Sequence, residues 1–325
     1  MRKLYPLNFP IVLCLSCVLV SCRVQSYDHY PIVPAEVPID IKEINFGSEE
    51  IFPTSMTIVN ENVVLTLQRS EKNFMIIPLD STKNAFLAGP TGRGPMDFLN
   101  IDPYSVKAEG DGFVVADMSG LKECVVTESG VVVERVSPVT TKCLPINGFA
   151  KIGGGFVNML TTGDKEFAVY DTQGNLKETI STYPDWSKDK ESVKVFLYLK
   201  TWEPNPDGNK LAVFYSHFDK FRIINLSGKV LYEVDTDFGE SEVAEKELNR
   251  ICYRSNPVVT NDHIVSLHCN RGGAEIQIWD WKAQLLKRYS LPGKVTQFTF
   301  DSASGNLWWF DSSHRTSLFV TTISL

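Results

Sequence analysis

The chain has 325 residues, of which 43% are hydrophobic and 22% are charged, a composition typical of a globular protein. Its 32 Lys and Arg stand against 39 Asp and Glu, giving a formal net charge of −7, and no long basic run is present, so we expect no binding to nucleic acid. No apolar run approaches the roughly 20 residues that a spanning helix requires, which excludes a polytopic membrane protein.

The first 22 residues predict export and a lipid anchor. Arg2 and Lys3 precede an apolar run at residues 11–20, the pattern of a secretory signal peptide over residues 1–21. Residues 19–22 (LVSC) resemble the bacterial lipobox, which predicts lipidation of Cys22. Several acyl chains hold a protein stably on a membrane, so we expect attachment to the outer membrane of the cell envelope through this anchor only. The alternative is a plain secretory signal with an incidental cysteine, and the side of the membrane stays open.

Residues 22–38 are polar and contain three prolines, which is typical of an extended tether. A single domain is predicted for residues 39–325. There, apolar runs of four to eight residues are separated by Gly, Asn, Asp and Pro, the pattern of strands joined by tight turns.

A strand–turn–strand phrase recurs about every 40 to 55 residues, which indicates a propeller or a similar array. Together with a second hairpin before each copy, it predicts an all-β, six-bladed β-propeller of four-stranded antiparallel blades. We expect the blades at about 50–88, 98–137, 144–182, 195–236, 250–291 and 293–325. The last contains three strands, and a strand at 39–46 is predicted to complete it and close the ring. A two-sheet sandwich or two separate β domains are the alternatives.

Residues 92–98 (GRGPMDF) follow the first predicted blade. With the lipobox and the six meanders, this segment resembles the TolB-like six-bladed propeller lipoproteins of Bacteroidetes, except that Met96 stands where the family has glycine. The resemblance implies the fold and an envelope location, and little chemistry. Met96 and Phe98 would either form an apolar loop tip or fill the junction between two blades.

Cys252 and Cys269 flank a predicted hairpin around Thr260. They are candidates for a disulfide in an oxidising compartment, or for two small buried thiols. No cysteine or histidine spacing indicates zinc.

Connectivity predicts a cationic rim at one end of the ring. In a meander blade, the loops between the second and third strands emerge on the same face as the connections between blades. This face would carry cations such as Lys122, and we expect a binding site made of Arg69, Arg93, Arg271, Arg315, His217 and His314. Such a rim would bind an anionic or glycan-bearing partner. Ordinary solvated surface is the alternative.

No motif predicts a catalytic residue, since G-x-S-x-G is absent and no acid recurs at matching blade positions. No cofactor is predicted, although calcium in the channel stays open. The leading interpretation is a non-catalytic binding or scaffold lipoprotein of the cell envelope, whose partner is an envelope protein, a peptide or a glycan. The alternatives are a metal-dependent hydrolase or lactonase with its site in the channel, and a carbohydrate-binding accessory of a glycan-uptake system.

Overall fold

The strands form six small antiparallel sheets arranged as the blades of one ring, a six-bladed β-propeller. The computed structural model describes residues 28–29, 32–47, 49–67, 70–80, 82–138, 148–188, 192–237, 247–270 and 273–325. Within these ranges, no helix is both long and apolar enough to cross a membrane. The fold class predicted from the sequence is therefore confirmed.

The strands follow the chain blade by blade. Two strands precede the first blade: β1 (Asp28–His29) and β2 (Lys42–Asn45). Blade one contains β3 (Pro53–Val59), β4 (Asn62–Leu67), β5 (Lys72–Pro78) and β6 (Phe86–Pro90). Blade two contains β7 (Lys107–Glu109), β8 (Gly112–Asp117), β9 (Gly120–Thr127) and β10 (Gly130–Ser137). Blade three contains β11 (Phe149–Ile152), β12 (Gly155–Met159), β13 (Lys165–Tyr170) and β14 (Leu176–Thr182).

The second half of the ring repeats this arrangement. Blade four contains β15 (Lys200–Pro204), β16 (Lys210–Tyr215), β17 (Lys220–Asn225) and β18 (Val230–Asp235). Blade five contains β19 (Val258–Val259), β20 (His263–Asn270), β21 (Gly273–Asp280) and β22 (Leu285–Leu291). Blade six contains β23 (Val295–Asp301), β24 (Asn306–Asp311) and β25 (Ser317–Thr322). The helical segments of the described residues are short, namely α1 (Lys194–Leu197) and two 3-10 turns, Pro103–Ser105 and Glu247–Asn249.

Turn chemistry explains the tight hairpins at the ends of the strands. Between β15 and β16, Asn205 accepts the Gly208 N–H at 2.7 Å, and Gly208 has a φ of +63°. A Cβ at Gly208 would lie 2.8 Å from the backbone nitrogen of Gly153 in the neighbouring blade. Glycine therefore serves both the turn and the close approach of two blades.

The N-terminal strand closes the ring as the sequence predicts. β2 pairs antiparallel with β25, so that Ile44 lies opposite Leu318. The backbone continues this pairing, because the Phe46 N–H donates to the Thr316 carbonyl at 3.0 Å. The incomplete sixth blade thereby gains its fourth strand, and the outer edge of β25 is covered.

The segment before β2 follows the outer edges of two blades. β1 pairs in parallel with β18 on blade four, and Asp28 lies opposite Glu233. Further along, Val37 N–H donates to the Arg288 carbonyl of blade five at 3.0 Å. Over these residues, the segment that the sequence predicts to be an extended tether lies against the propeller. Residues 1–27, including Cys22, lie outside the described residues.

Residues 92–98 form a closed turn that plugs the junction of blades one and two. Phe98 is fully buried, and its ring meets that of Phe74 edge-on at 5.1 Å. Asp97 holds the turn, because its carboxylate accepts the Gly94 N–H at 3.0 Å. Met96 is 47% exposed and lies outside this core. Phe98 therefore fills the blade junction, whereas Met96 does not.

Candidate functional site

Two kinds of loop emerge together on one end of the ring, which we call the connecting-loop face. Ser216, between β16 and β17, donates its N–H to the carbonyl of Leu199 in the connection between blades three and four at 2.7 Å. Met118 of blade two makes the equivalent bond to Leu99 of the preceding connection at 3.2 Å. The placement of these loops on a common face, inferred from connectivity, holds at both sites.

A cavity of about 550 Å³ opens on this face, over the axis of the ring. We call it the mouth pocket. Its walls come from blades three, four and six and from the connections between blades one and two, three and four, and four and five. The lining residues include Tyr104, Thr161, Lys200, Tyr253 and Gln297. The site is therefore a product of the closed ring and not of any single blade.

Apolar side chains stand exposed around the mouth pocket. The short helix α1 and the residues beside it carry Phe196, 67% exposed, and Leu199, 37% exposed. The connection between blades four and five adds Ile251, 42% exposed. All three line the pocket. Large apolar residues gathered around a concavity are a common mark of a binding site.

The charged groups that line the pocket are cationic. Arg254 is exposed and has no ion-pair partner among the described residues. His217 is half-buried, and its Nδ1 lies 2.6 Å from the Arg250 carbonyl oxygen, so this nitrogen carries the hydrogen. Within the described chain, the residues that line the pocket include neither Asp nor Glu. Arg254 thus brings an unpaired cation to the pocket of a protein whose net charge is −7.

A buried ion pair supports the floor of the mouth pocket. Lys200 Nζ lies 2.8 Å from Glu166 Oε1, and the two side chains are 1% and 0% exposed. Glu166 also accepts hydrogen bonds from the hydroxyls of Tyr215 at 2.9 Å and Ser181 at 2.7 Å. Burial lowers the pKa of Lys200, and the charge of Glu166 opposes this effect. The pair joins blade three to blade four beneath the pocket.

A second polar cluster fixes the pocket wall between blades four and five. Asp219 accepts a hydrogen bond from His268 Nε2 at 2.9 Å and pairs with Arg250. Because Arg250 precedes Ile251 and its carbonyl holds His217, this cluster orients both lining residues.

Contacts across the ring interrupt the channel below the pocket. Asn256 of the blade-five connection donates to the Tyr104 carbonyl of blade two at 3.1 Å, and Lys107 pairs with Glu203 of blade four. Nearby, burial raises the pKa of Asp102 to about 6. This carboxylate accepts N–H groups from Gly148 and Tyr104, which indicates a structural role. Within the described residues, no group of three or more His, Cys, Asp or Glu side chains could hold a metal ion.

The predicted rim residues occupy different places. Arg69 and Arg271 lie outside the described residues. His217 lines the mouth pocket, whereas His314 and Arg315 line a separate open cavity of about 620 Å³ on blade six. Arg93 is exposed on the connection between blades one and two.

Three side chains that the sequence places on the rim already have side-chain partners. Arg315 pairs with Glu50 at 3.0 Å, and His314 Nδ1 lies 3.1 Å from Asp311 Oδ2. Lys122, expected on the rim, is 1% exposed and pairs with Asp117 at 2.8 Å. Lys122 also donates to the Asp97 carbonyl, so it fastens the 92–98 turn to blade two and offers no surface charge.

The two hairpin cysteines are neighbours but remain free thiols. Cys269 N–H donates to the Cys252 carbonyl at 2.7 Å, so their strands are paired. Burial raises the pKa of both thiols to about 11, which keeps them protonated. Cys252 is buried and Cys269 is half-buried, and the disulfide between them stays a prediction.

Sequence reasoning missed the apolar half of the site. Phe196 lies in a run (VFLYL) that reads as a buried strand, and Arg254 and Ile251 lie in a connection and not in a loop between the second and third strands. The available signal was the length of the two connections, 183–199 and 236–257, which are the longest between blades.

Comparisons with known proteins show the fold. No protein-family profile matches the chain, and no curated protein is a detectable relative. Among solved structures, a predicted exported protein from Bacteroides fragilis superposes with a TM-score of 0.54 at 10% identity, over 88% of this chain and 96% of that one. A DUF4221 family member from Bacteroides vulgatus gives a TM-score of 0.55 at 10% identity, with the same coverage. U3-55K gives 0.50 at 10% identity, over 87% and 98% of the two chains. At these identities, the likeness establishes a propeller and no shared activity.

Proposed function

We propose that the protein is a non-catalytic binding protein of the cell envelope and that the mouth pocket is its binding site. The observation that carries the proposal is a concave site of about 550 Å³, built by three blades and three connections between blades and bordered by exposed Phe196, Leu199 and Ile251. Small-molecule sites typically measure about 300 to 1,000 Å³ and combine an apolar lining with a few polar groups. The pocket has both properties.

The same proposal includes the location. The LVSC segment supports lipidation at Cys22, anchoring to the outer membrane and kinship with the TolB-like propeller lipoproteins. The partner or ligand would then be an envelope component. The likeness to a predicted exported Bacteroides protein agrees with this location.

Binding at the pocket can be tested with Nile red, a neutral apolar dye that fluoresces in apolar surroundings. We expect saturable binding of one dye per protein, and we expect Phe196→Ser to weaken it at least tenfold. Leu176→Ser is the matched control, because Leu176 is 58% exposed on blade three and does not line the pocket. Equal binding by parent and Phe196→Ser would place the dye elsewhere and refute the site.

The anchor needs a separate experiment. Cys22→Ala should release the protein from membranes and abolish metabolic labelling with fatty acid. Persistent membrane association of this variant would contradict lipid anchoring.

A further inference from the structure

We infer that the mouth pocket binds an amphiphilic organic anion, a small molecule with an apolar body and a carboxylate or similar anionic head. This inference rests on the proposed function, because it names the ligand class of the same site. Its grounds are the sign of the charge in the pocket, an unpartnered buried hydroxyl, and the apolar border.

The charge of the lining favours an anion. Arg254 supplies a cation to the pocket, and no described lining residue is a carboxylate. Lys200 also lines the pocket, but Glu166 compensates its charge. Arg254 is therefore the group available to a ligand, and its planar guanidinium matches a carboxylate through two parallel hydrogen bonds.

A second observation points to a ligand independently of charge. Thr201 lines the pocket and is 4% exposed, yet its hydroxyl has no hydrogen-bond partner among the described residues. A buried hydroxyl without a partner is costly, and such groups are uncommon in folded proteins. The hydroxyl oxygen is itself shielded in the free protein, so a rotation of the Thr201 side chain toward the pocket would let an oxygen of a bound anion accept this hydrogen bond.

The apolar border defines the rest of the ligand. Phe196, Leu199 and Ile251 expose large apolar surface at the opening, which a fully hydrated anion such as phosphate would leave in water. An alkyl or aryl chain would cover it. The volume of about 550 Å³ suits a small molecule, so we favour an apolar carboxylate over a protein segment.

The test uses competition against bound Nile red by three ten-carbon probes, decanoate, decanol and decyltrimethylammonium, each below its micelle concentration. We expect decanoate to compete at least tenfold better than the cation. Arg254→Gln should weaken decanoate about tenfold, as loss of a hydrogen bond to a charged group predicts, and should leave decanol unchanged. Arg93→Gln is the matched control, an exposed arginine on the same face and outside the pocket.

Thr201→Val gives a second, nearly isosteric variant. We expect it to weaken decanoate about threefold or more and to unfold at the same urea concentration as the parent, because the lost hydroxyl has no partner in the protein. Equal competition by the three probes, or unchanged decanoate binding in Arg254→Gln, would overturn the inference while Nile red binding still supports the pocket. Stronger competition by a peptide with an apolar C-terminal residue would also overturn it. Absence of Nile red binding would refute the proposed function itself.

Discussion

The buried pair beneath the mouth pocket allows a quantitative prediction. Lys200→Met removes the cation and leaves the Glu166 carboxyl fully buried, with the Tyr215 and Ser181 hydroxyls as its hydrogen-bond donors. Breaking a buried ion pair on one side costs about 3 to 5 kcal/mol. Because two hydroxyl donors remain, we expect a loss near the lower end, about 3 kcal/mol of unfolding free energy.

The double variant separates the charge from the packing. When Lys200→Met is combined with Glu166→Gln, neither side chain of this pair carries a charge. Met fills the volume of the lysine stem among its aromatic neighbours. We expect the double variant to lose about 2 kcal/mol less unfolding free energy than the two single variants lose together. This difference is within the usual coupling energy of residues in contact.

Urea unfolding followed by tryptophan fluorescence measures these differences, and the slope checks that the unfolded state is unchanged. Lys220→Met is the matched control, since Lys220 pairs with Asp235 at 2.6 Å but both side chains are about 30% exposed. Its cost should stay within about 1 kcal/mol. Additive losses in the Lys200 and Glu166 variants, or equal costs for Lys200→Met and Lys220→Met, would refute the reasoning.

Three further predictions concern the ring. Phe98→Ala should lower the unfolding free energy by about 3 to 5 kcal/mol, and Met96→Ala by less than about 0.5, because only Phe98 is buried; equal effects would contradict the plug. Burial raises the pKa of Asp102 from 3.8 to about 6, so the folded state retains the proton longer than the unfolded state and gains stability as the pH falls through this window. At about 1.4 kcal/mol per pH unit, the parent should gain about 2.4 kcal/mol relative to Asp102→Asn between pH 8 and pH 4, and a constant difference would contradict this. Deleting residues 39–46 should destabilise the whole ring in urea, since β25 loses its partner strand; unfolding at the parent midpoint would contradict closure by β2.

The fold was predictable because its signals are local and repeated. Apolar runs of four to eight residues and Gly or Asn turns recur in every blade, and the missing strand of blade six requires a partner from elsewhere in the chain. The pairing of β1 with blade four was not predictable, because two residues at the edge of a sheet carry no periodic pattern.

The site was only partly predictable, because exposure does not follow from residue type. Connectivity places His217 on the connecting-loop face, but it does not tell a surface lysine from Lys122 or Lys200, each 1% exposed and paired with a buried acid. Conversely, Phe196 reads as core and is 67% exposed. Burial of a charge and exposure of an aromatic both depend on neighbours brought in from other blades, which the local sequence does not encode.

Photo-crosslinking tests the role of the mouth pocket most directly. A decanoate carrying a diazirine on its chain would be bound to the purified protein and irradiated, and the labelled residues identified by peptide mass spectrometry. We predict labels in residues 193–201 and 248–254, which border the pocket, and their loss in Phe196→Ser. Labels on the outer strands of the blades, or in the separate cavity beside His314, with none in these two segments, would contradict the assignment.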